Sequence, residues 1–307
     1  MYFPYFRGRQ YELLALKELA AKMLITDNIL PVIEPVKHLP ALNNSLKAFN
    51  KANLPVALIF NPKVGNLAND DESIDRLFEK LPSQTIIPSL LLNDKGLNTL
   101  TRLQNENINR EKILTIFENH DSLNIYNGLF PDIQPLYTLC PDDRSIRRTI
   151  KGNRVLFEDK FNKQNRNADY PDDEFFSDDH LYYSDDNYCG FGDYSIVGSD
   201  YNETGFAPYA VAIHIVYFDK DKILRIKHFI SDSNEDISDV AGKFYEAVTK
   251  LNTWYEQGQN SQLTTGLQTL LLHYQNHTYP GLPTLKKLSI MHHLELMNNY
   301  LTGKLDS

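Results

Sequence analysis

Ionisable side chains follow the apolar runs of this sequence at short and regular intervals. Three glutamates stand directly behind pairs of large apolar residues, namely Glu34, Glu118 and Glu158. A carboxylate held behind buried residues binds a cation, pairs with Lys or Arg, or takes up a proton at raised pH. The pattern therefore predicts either an acid–base or metal site, or a structural network of ion pairs with Arg7, Lys63 and Lys160.

The segment Arg7-Gly8-Arg9 brings two guanidinium groups to the start of a helical pattern. Glycine lets the backbone approach a ligand closely, and the free N–H groups of a helix N-terminus attract anions. Guanidinium groups add bidentate binding of phosphate or carboxylate. Two interpretations stay open. The segment is an anion-binding cradle, or Arg7 simply pairs with Glu12 or Glu34 beside a glycine turn.

Strand-like and helix-like runs alternate along the first half of the chain, and these elements must position the ionisable groups. The strand runs are apolar almost throughout, which is typical of parallel strands covered on both faces. Strands are predicted at 2–6, 29–36, 55–62, 85–93, 113–119, 134–140 and 154–161, with 191–199 as the candidate eighth. This repetition predicts an α/β fold, a (β/α)8 TIM-like barrel, in preference to an open sheet. A dinucleotide-binding sheet would need a G-x-G-x-x-G turn, and the first turn here is FRGRQYE.

In a (β/α)8 barrel the loops after the strands converge on one face, so chemistry is expected there. We predict acid–base residues at Glu34, Glu118, Asp159 and Asp193. We predict ligand-binding residues at Arg7, Gly8, Arg9, Asn61, Lys63 and Lys160. A metal ion here would be Mg²⁺ or Mn²⁺, because the strand ends offer oxygen ligands and no His/Cys set. The predicted metal ligands are Glu118 and Glu158.

An acidic, aromatic segment interrupts the β–α pattern at 169–187. Many aspartates and aromatic residues occur there, and no Lys or Arg lies between Asn167 and Asp219. Such a run is typical of a solvated loop. Its aromatic residues also allow a surface that holds a protein partner.

The remainder of the chain adds further elements to the barrel. Residues 209–231 predict a β-hairpin. Three helices are predicted near 236–257, 262–275 and 283–302. The expected organisation is a barrel core over 1–200, with the β-hairpin and helical extension of 201–307 packed on the same domain.

Composition narrows the classes of protein. The 307 residues carry a formal net charge of −9, which argues against binding of nucleic acid over an extended surface. No run of about 18 apolar residues and no signal peptide is found, so a cytoplasmic protein without membrane association is expected. The 2 cysteines, Cys140 and Cys189, are too few for a disulfide framework or a cysteine zinc site.

Other chemistry-bearing residues fit structural roles better. Ser195 lies in GDYSIVG, which lacks the G-x-S-x-G turn of serine hydrolases. His292 and His293 lie in a predicted helix without the H-E-x-x-H spacing of zinc proteases. Cys140 ends the sixth predicted strand, where a small buried side chain is a better interpretation than a nucleophile.

The opening YFPYFRGRQYELLALKEL, together with ILPVIEPV and FGDYS, resembles an uncharacterised family of bacterial proteins of this length. That family is similar to the phage beta-protein family, whose members begin with a proline-containing strand and a Lys/Arg-Gly-x-x-x-Glu pattern and later carry Gly-Asp-Tyr. The resemblance covers most of the chain and is strongest over 2–19, 29–36 and 190–197. It implies a phage or mobile-element setting with a role in antiviral defence. It marks the following signature positions without assigning them roles: Arg7, Gly8, Glu12, Gly192 and Asp193.

Two functions of different class follow. The first is a barrel enzyme in phage defence that binds a small anionic, phosphate-containing ligand, with or without a divalent ion. The second is a non-catalytic, defence-associated module that holds a protein partner with the segment 169–187 and the C-terminal helices. A nuclease is disfavoured, because it would need a basic path for a nucleic-acid backbone.

Overall fold

The structure, a computed structural model, describes residues 1–37, 40–79, 84–202, 208–258 and 262–305. The chain forms two compact units. The first unit comprises Met1–Glu158 and Asp179–Tyr194, and the second comprises Asp159–Asp178 and Ser195–Ser307. The sequence predicts a single boundary after residue 200, and the packing of the hairpin and helices on the barrel as one domain stays a prediction.

Two β-sheets are found in the described ranges. The strands are β1 (Tyr5–Phe6), β2 (Val32–Ile33), β3 (Val56–Ile59), β4 (Ile86–Leu91), β5 (Leu114–Ile116), β6 (Tyr137–Cys140), β7 (Arg154–Phe157), β8 (Asp173–Ser177), β9 (Gly190–Gly192), β10 (Ala212–Phe218) and β11 (Leu224–Ile230). The first seven strands and β9 pair in parallel and in chain order, as one sheet of 8 strands. The other sheet has the order β10-β11-β8 and is antiparallel.

Helices alternate with the strands of the large sheet and dominate the end of the chain. They are α1 (Gln10–Ala21), α2 (Pro40–Ala52), α3 (Asp71–Glu79), α4 (Gly96–Asn105), α5 (Ser122–Leu129), α6 (Arg144–Thr149), α7 (Asp179–Tyr182), α8 (Val240–Glu256), α9 (Thr265–Gln275) and α10 (Leu282–Leu301). Within the described residues, none of these helices has both the length and the apolar character needed to cross a membrane.

The first unit is a nearly closed barrel of 8 parallel strands with flanking helices. Each of α1 to α6 follows one strand and precedes the next, and each needs one apolar stripe to cover the sheet. In α1 this stripe is formed by Leu13, Leu16 and Leu19, all buried. The predicted (β/α)8 TIM-like fold is therefore confirmed.

The last barrel strand returns to the first. The Phe3 N–H donates to the Phe191 carbonyl oxygen, and the Tyr5 N–H donates to the Asp193 carbonyl oxygen, each at 2.8 Å. These bonds pair backbone groups that the edge strands of an open sheet would leave unpaired. The N-terminal segment is thus held between β2 and β9.

Two glycines allow this closure. A Cβ on Gly190 would lie 2.6 Å from the Phe3 ring, and one on Gly192 would lie 2.4 Å from the Phe3 carbonyl oxygen. Only a residue without a side chain fits so close to a neighbouring strand. The eighth strand occupies Gly190–Gly192, so it begins one residue earlier and ends well before the predicted 191–199.

The barrel interior is a packed hydrophobic core. Alternate residues along the strands point into it, as the period of two of a β-strand requires. Its buried members are Phe3, Tyr5, Leu30, Val32, Ala57, Ile59, Leu91, Leu114, Ile116, Leu139, Val155 and Phe157. The next inward position on each strand therefore falls at the carboxyl end of the barrel.

The second unit is built on the hairpin that the sequence predicts. β10 and β11 pair in antiparallel fashion, and the Lys222 N–H closes the turn by donating to the Asp219 carbonyl oxygen at 3.1 Å. α8 packs on β11, α10 packs on β10, and α9 packs on both helices. The predicted hairpin and C-terminal helices are confirmed.

The acidic segment is not a loop throughout. Its Asp173 accepts hydrogen bonds from Arg225 Nε and from the Tyr217 hydroxyl, both at 2.6 Å. Phe176 in the same strand is buried. The prediction of a solvated loop is therefore wrong for β8, because the hairpin strands supply the partners that the segment itself lacks.

Candidate functional site

Five side chains form one layer at the carboxyl end of the barrel, which we call the mouth layer. Each follows an interior core residue by two positions, so it points to the same side of its strand as that residue. They are Arg7, Glu34, Asn61, Asn93 and Glu118, located after β1 to β5 in order. The sequence predicts four of them as site residues and omits Asn93.

Glu34 has no exposed side-chain surface. Its Oε2 accepts from the Tyr5 hydroxyl at 2.6 Å and from Arg7 Nη1, with which it also forms an ion pair. Its Oε1 accepts from the backbone N–H groups of Lys63 at 2.7 Å and Val64 at 3.3 Å. A buried carboxylate is tolerated when it is paired and hydrogen-bonded in this way. Glu34 thus ties the ends of β1 and β2 to the loop after β3.

Arg7 is buried beside Glu34, with 4% of its surface exposed. Its guanidinium carbon lies 5.2 Å from the centre of the Tyr5 ring and 5.7 Å from that of Tyr194, within the range of cation–π contacts. Burial by itself would lower the pKa of Arg7, whereas the Glu34 carboxylate raises it. The structure therefore favours the ion pair with Glu34 over the open anion cradle.

Tyr5 completes this buried cluster. Burial, and next the Glu34 carboxylate, raise the pKa of Tyr5 well above its usual value. The phenol therefore keeps its proton, and its hydroxyl group donates a hydrogen bond to Glu34. Sequence reasoning missed Tyr5, although its position two residues before Arg7 places it on the same side of β1.

Gly8 and Arg9 form the turn between Arg7 and α1. Gly8 has a φ of 59°, and a Cβ there would lie 2.8 Å from the Glu34 carbonyl oxygen. Glycine fits both conditions without strain. Arg9 is the N-cap of α1, and its N–H donates to Glu12 Oε2 at 3.2 Å. Glu12 therefore caps its own helix, and Arg7 pairs with Glu34.

Asn61 joins β3 to β4 and is 2% exposed. Its Nδ2 donates to the Leu91 carbonyl oxygen, and its Oδ1 accepts from the Leu91 N–H, both at 2.8 Å. A side-chain amide that exchanges two bonds with one backbone unit acts as an added rung of the sheet. Nδ2 also lies 3.1 Å from Asn93 Oδ1, which continues the contacts to the next strand end.

Lys63 and Glu118 form the exposed part of the site. Lys63 Nζ lies 2.6 Å from Glu118 Oε1, and Asn93 Nδ2 donates to Glu118 Oε2 at 2.9 Å. The exposed fractions of the two side chains are 41% for Lys63 and 10% for Glu118. Lys63 connects the buried Glu34 with the more exposed Glu118. Its backbone N–H donates to Glu34, and its ammonium group forms an ion pair with Glu118.

One of the two predicted metal ligands, Glu118, is already engaged in these contacts. Among the residues that the structure describes, no group of three or more His, Cys, Asp or Glu side chains is arranged to hold a metal ion. Both Glu118 oxygens already have partners, Lys63 and Asn93. A divalent ion at Glu118 would have to displace the ammonium group of Lys63. The metal site with Glu118 and Glu158 as ligands stays a prediction.

Two further predicted residues of the first unit are not part of the mouth layer. Asp193 is buried and accepts from the Tyr2 hydroxyl at 2.7 Å. Its neighbour Tyr194 packs on the barrel core, so the alternation along the chain turns Asp193 to the outer side. The Glu158 N–H donates to the Gly192 carbonyl oxygen at 3.4 Å.

Asp159 and Lys160 belong to the second unit. Asp159 accepts from the N–H groups of Phe161 at 3.1 Å and Ser199 at 2.7 Å. With Lys160 it lines a polar cavity of about 400 Å³ in that unit. Their predicted roles as an acid–base and a ligand-binding residue stay predictions.

The second unit also buries the two helical histidines. His292 Nε2 donates to the Val216 carbonyl oxygen at 2.7 Å, and burial lowers the pKa of His292 to about 4. His293 Nδ1 lies 2.9 Å from Ser195 Oγ, and burial, with a smaller contribution from His292, lowers its pKa to about 3. Both rings are neutral at neutral pH. Ser195 is fully buried, so its contact with His293 is structural.

The two cysteines are free. Burial, above all, raises the pKa of Cys140 to about 12. A thiol with so high a pKa carries almost no thiolate at neutral pH and is a poor nucleophile. The burial of Cys140 and its raised pKa therefore favour the interpretation of a small buried side chain.

Comparisons of the chain with models of protein families, with curated proteins and with solved structures find no match. The fold and the mouth layer define the class of this protein. It is a (β/α)8 barrel whose strand ends carry a connected set of charged, amide and phenol groups.

Proposed function

We propose that the barrel binds a small anionic ligand at the mouth layer, with Lys63 as the cationic contact and Glu118 as its acid–base partner. The observation that carries this proposal is the difference in exposure between two ion pairs. Arg7–Glu34 is buried, whereas 41% of the Lys63 side chain is exposed. Substrates of (β/α)8 enzymes bind at this end of the barrel. A phosphate-containing ligand suits a lysine, whose compact charge binds phosphate well.

An exchange of partners at Lys63 follows from charge. A ligand anion competes with Glu118 for the ammonium group, since both offer oxygen acceptors. When Lys63 turns to the ligand, Glu118 retains the Asn93 hydrogen bond and loses its ion-pair partner. Its Oε1 is then available to accept a proton from the ligand.

Arg7, Tyr5 and Glu34 act in this proposal as positioning residues. Glu34 accepts the N–H groups of Lys63 and Val64, and this fixes the loop that carries the ammonium group. Arg7 is the buried ion-pair partner of Glu34. The rigid support reduces the conformational entropy that ligand binding would otherwise cost.

The test is ligand binding by matched lysine variants. Thermal melts and calorimetry would use inorganic phosphate, AMP and ATP, each with and without Mg²⁺ and Mn²⁺. Lys63→Met removes the proposed contact. Lys22→Met is the control, because Lys22 forms a similar pair with Glu18 at 2.7 Å on the exposed side of α1.

We expect Lys63→Met to lose at least about tenfold in affinity for the anion, which corresponds to about 1.4 kcal/mol. Lys22→Met should bind as the unaltered protein does. Glu118→Gln should bind the anion equally or more tightly, because it removes the competitor for Lys63. The proposal fails if the unaltered protein binds none of these anions, or if Lys63→Met binds them unchanged.

A second candidate function is the holding of a protein partner. Phe175 and Tyr182 of the acidic segment are 52% and 53% exposed, and exposed aromatic residues are enriched at interfaces. A pull-down with Phe175→Ser and Tyr182→Ser tests this, and unchanged capture by both variants contradicts it. A role in antiviral defence and a relation to the phage beta-protein family rest on the sequence resemblance. Both are proposed for either function, the anion-binding enzyme and the partner-binding module.

A further inference from the structure

Two histidines of the hairpin face each other across the strands. His214 of β10 pairs directly with His228 of β11, and their Nδ1 atoms are 2.6 Å apart. A hydrogen bond between two such nitrogens needs one donor and one acceptor. The pair therefore holds one proton between its Nδ1 atoms, and two imidazolium rings cannot adopt this contact.

Glu174 of β8 determines which histidine donates and which accepts in this hydrogen bond. Its Oε1 lies 3.1 Å from His228 Nε2, so His228 donates from Nε2 and its Nδ1 is left as an acceptor. His214 then donates from Nδ1. The three residues form a chain of hydrogen bonds that ends in one carboxylate.

Two aromatic rings lie over the pair. The ring centre of Tyr170 is 4.7 Å from both imidazole centres, and that of Phe161 is 5.3 Å from His214. We call the residues from Phe161 to Tyr170 the cover segment. Its backbone is mostly irregular, with one short turn at Asn167–Asp169, whereas β10 and β11 are held by a full antiparallel ladder. The cover segment can therefore open without breaking the strand pairing of β10 and β11.

Few negative charges face the pair. Glu174 and Asp173 act from β8, Lys227 acts from β11 and Lys286 acts from α10. Asp173 is already bonded to Arg225 and Tyr217. Burial lowers the pKa of His214 well below its usual value, helped by His228 and Lys286, and burial also lowers the pKa of His228 against the opposing effect of Glu174. Glu174 contacts the pair and can balance one added proton, whereas Asp173 is already paired with Arg225.

We propose that the His214–His228 pair is a proton-controlled latch that keeps the cover segment closed. With one proton shared between the Nδ1 atoms, the cover segment packs on the pair. When both rings are charged they repel each other and require water. His214 is half-buried, but the His228 side chain has no exposed surface and lies under the rings of Tyr170 and Phe161. Acid therefore opens the cover segment. Phe161 also lines the polar cavity of Asp159 and Lys160, so the opening reshapes that cavity.

Hydrogen exchange on the full chain tests the latch. Exchange of peptides covering residues 161–172 would be measured between pH 7.5 and 5 and corrected for the pH dependence of the chemical step. His214→Phe keeps a ring against Phe161 and Tyr170 and removes the titratable group. His277→Phe is the control, because His277 is an exposed histidine of the same unit that stacks on Tyr245.

We expect protection of this segment in the unaltered protein and in His277→Phe to fall about tenfold or more over this range, since one unit of pKa difference corresponds to a factor of ten. In His214→Phe it should change less than about twofold. Equal protection at all pH values in the unaltered protein overturns the latch. So does the same loss in His214→Phe, which would assign the effect to other groups.

Glu174→Gln keeps the test decisive if His214→Phe does not fold. Removing the carboxylate that balances the first proton should move the opening to higher pH. An unchanged or lower pH of opening in Glu174→Gln contradicts the proposal. Independent titration of the two imidazoles near pH 6.5 in an NMR experiment would contradict it as well, because coupled groups titrate as a pair.

Discussion

At the barrel mouth a guanidinium and a carboxylate are buried together, whereas the second unit buries imidazoles that carry no charge. Arg7 and Glu34 compensate each other, and Tyr5 adds a hydrogen bond from a neutral phenol. His292 and His293 instead contact hydroxyl and carbonyl groups, which suit a neutral ring. This difference determines which change lowers the stability of each region. Loss of one partner leaves a buried charge in the barrel, whereas a gained proton creates one in the second unit.

The largest effect is expected when the buried ion pair loses its carboxylate. Glu34→Gln leaves the Arg7 charge buried without compensation, so it should lower the free energy of unfolding by about 3–5 kcal/mol. Urea denaturation followed by circular dichroism measures this. Glu18→Gln on α1, which breaks an exposed pair, should change it by less than about 0.5 kcal/mol. A loss below about 1 kcal/mol for Glu34→Gln would mean that Arg7 is compensated elsewhere.

Acid should weaken the second unit. The folded-state pKa values of His292 and His293, about 4 and about 3, lie below the usual value of 6.5, so the unfolded chain binds more protons below pH 6.5. Their contribution to stability is complete above pH 6.5 and is lost as the pH falls toward the folded values. At pH 5 the loss should be about 2 kcal/mol for each histidine.

Trp254, the single tryptophan, lies in the second unit and reports its unfolding by fluorescence. Urea titrations at pH 7.5 and pH 5 give the loss of stability. The free energy of unfolding is lower at pH 5 than at pH 7.5, and His293→Leu should make this difference smaller by the contribution of one histidine. This holds whatever the substitution does to stability at pH 7.5. A pH dependence identical to that of the unaltered protein would show that folding does not lower the pKa of His293.

An intermediate effect is expected from the phenol that supports Glu34. Tyr5→Phe keeps the ring beside Arg7 and removes the 2.6 Å hydrogen bond to the carboxylate. Hydrogen bonds to charged groups contribute about 1.5–3 kcal/mol, and the unfolding free energy should fall by about that amount. Tyr194→Phe is the matched change at the second ring within cation–π range of Arg7. A loss below about 0.5 kcal/mol for Tyr5→Phe would contradict the contribution of its hydroxyl bond.

The smallest effect is expected at the exposed pair. Glu118→Gln should lower the free energy of unfolding by about 1 kcal/mol or less, because Lys63 can reach water when its partner is neutral. The same urea titration as for Glu34→Gln gives a direct comparison within one layer. An equal loss for Glu118→Gln and Glu34→Gln would contradict the distinction between a positioning pair and a ligand-accessible pair.

Much of the barrel could be predicted from local patterns. The apolar runs and the helical stripes between them recur along the chain, and such regular units favour a (β/α)8 barrel. The position of Glu34 two residues after Val32 also places its side chain toward the interior. The same rule would have identified Asn93, which follows Leu91 by two.

Other features depended on contacts that no local pattern contains. Arg7 has glutamates at two usable positions, and the choice of Glu34 is made by the parallel pairing of β1 with β2. Asp193 turns outward because the short β9 sets its register against the N-terminal segment. β8 forms because Arg225 lies opposite it on β11, far along the chain.

The order of the strands and the period of two within them are properties of the sequence, and they bring Arg7, Glu34, Asn61 and Glu118 to one end of the barrel. Which of these groups pair, and which remain accessible, was decided by the tertiary structure. Pairing depends on distance and burial across strands that are remote in the chain. Those quantities place Arg7 in a buried ion pair and leave Lys63, held at its backbone by Glu34, as the cation that reaches solvent.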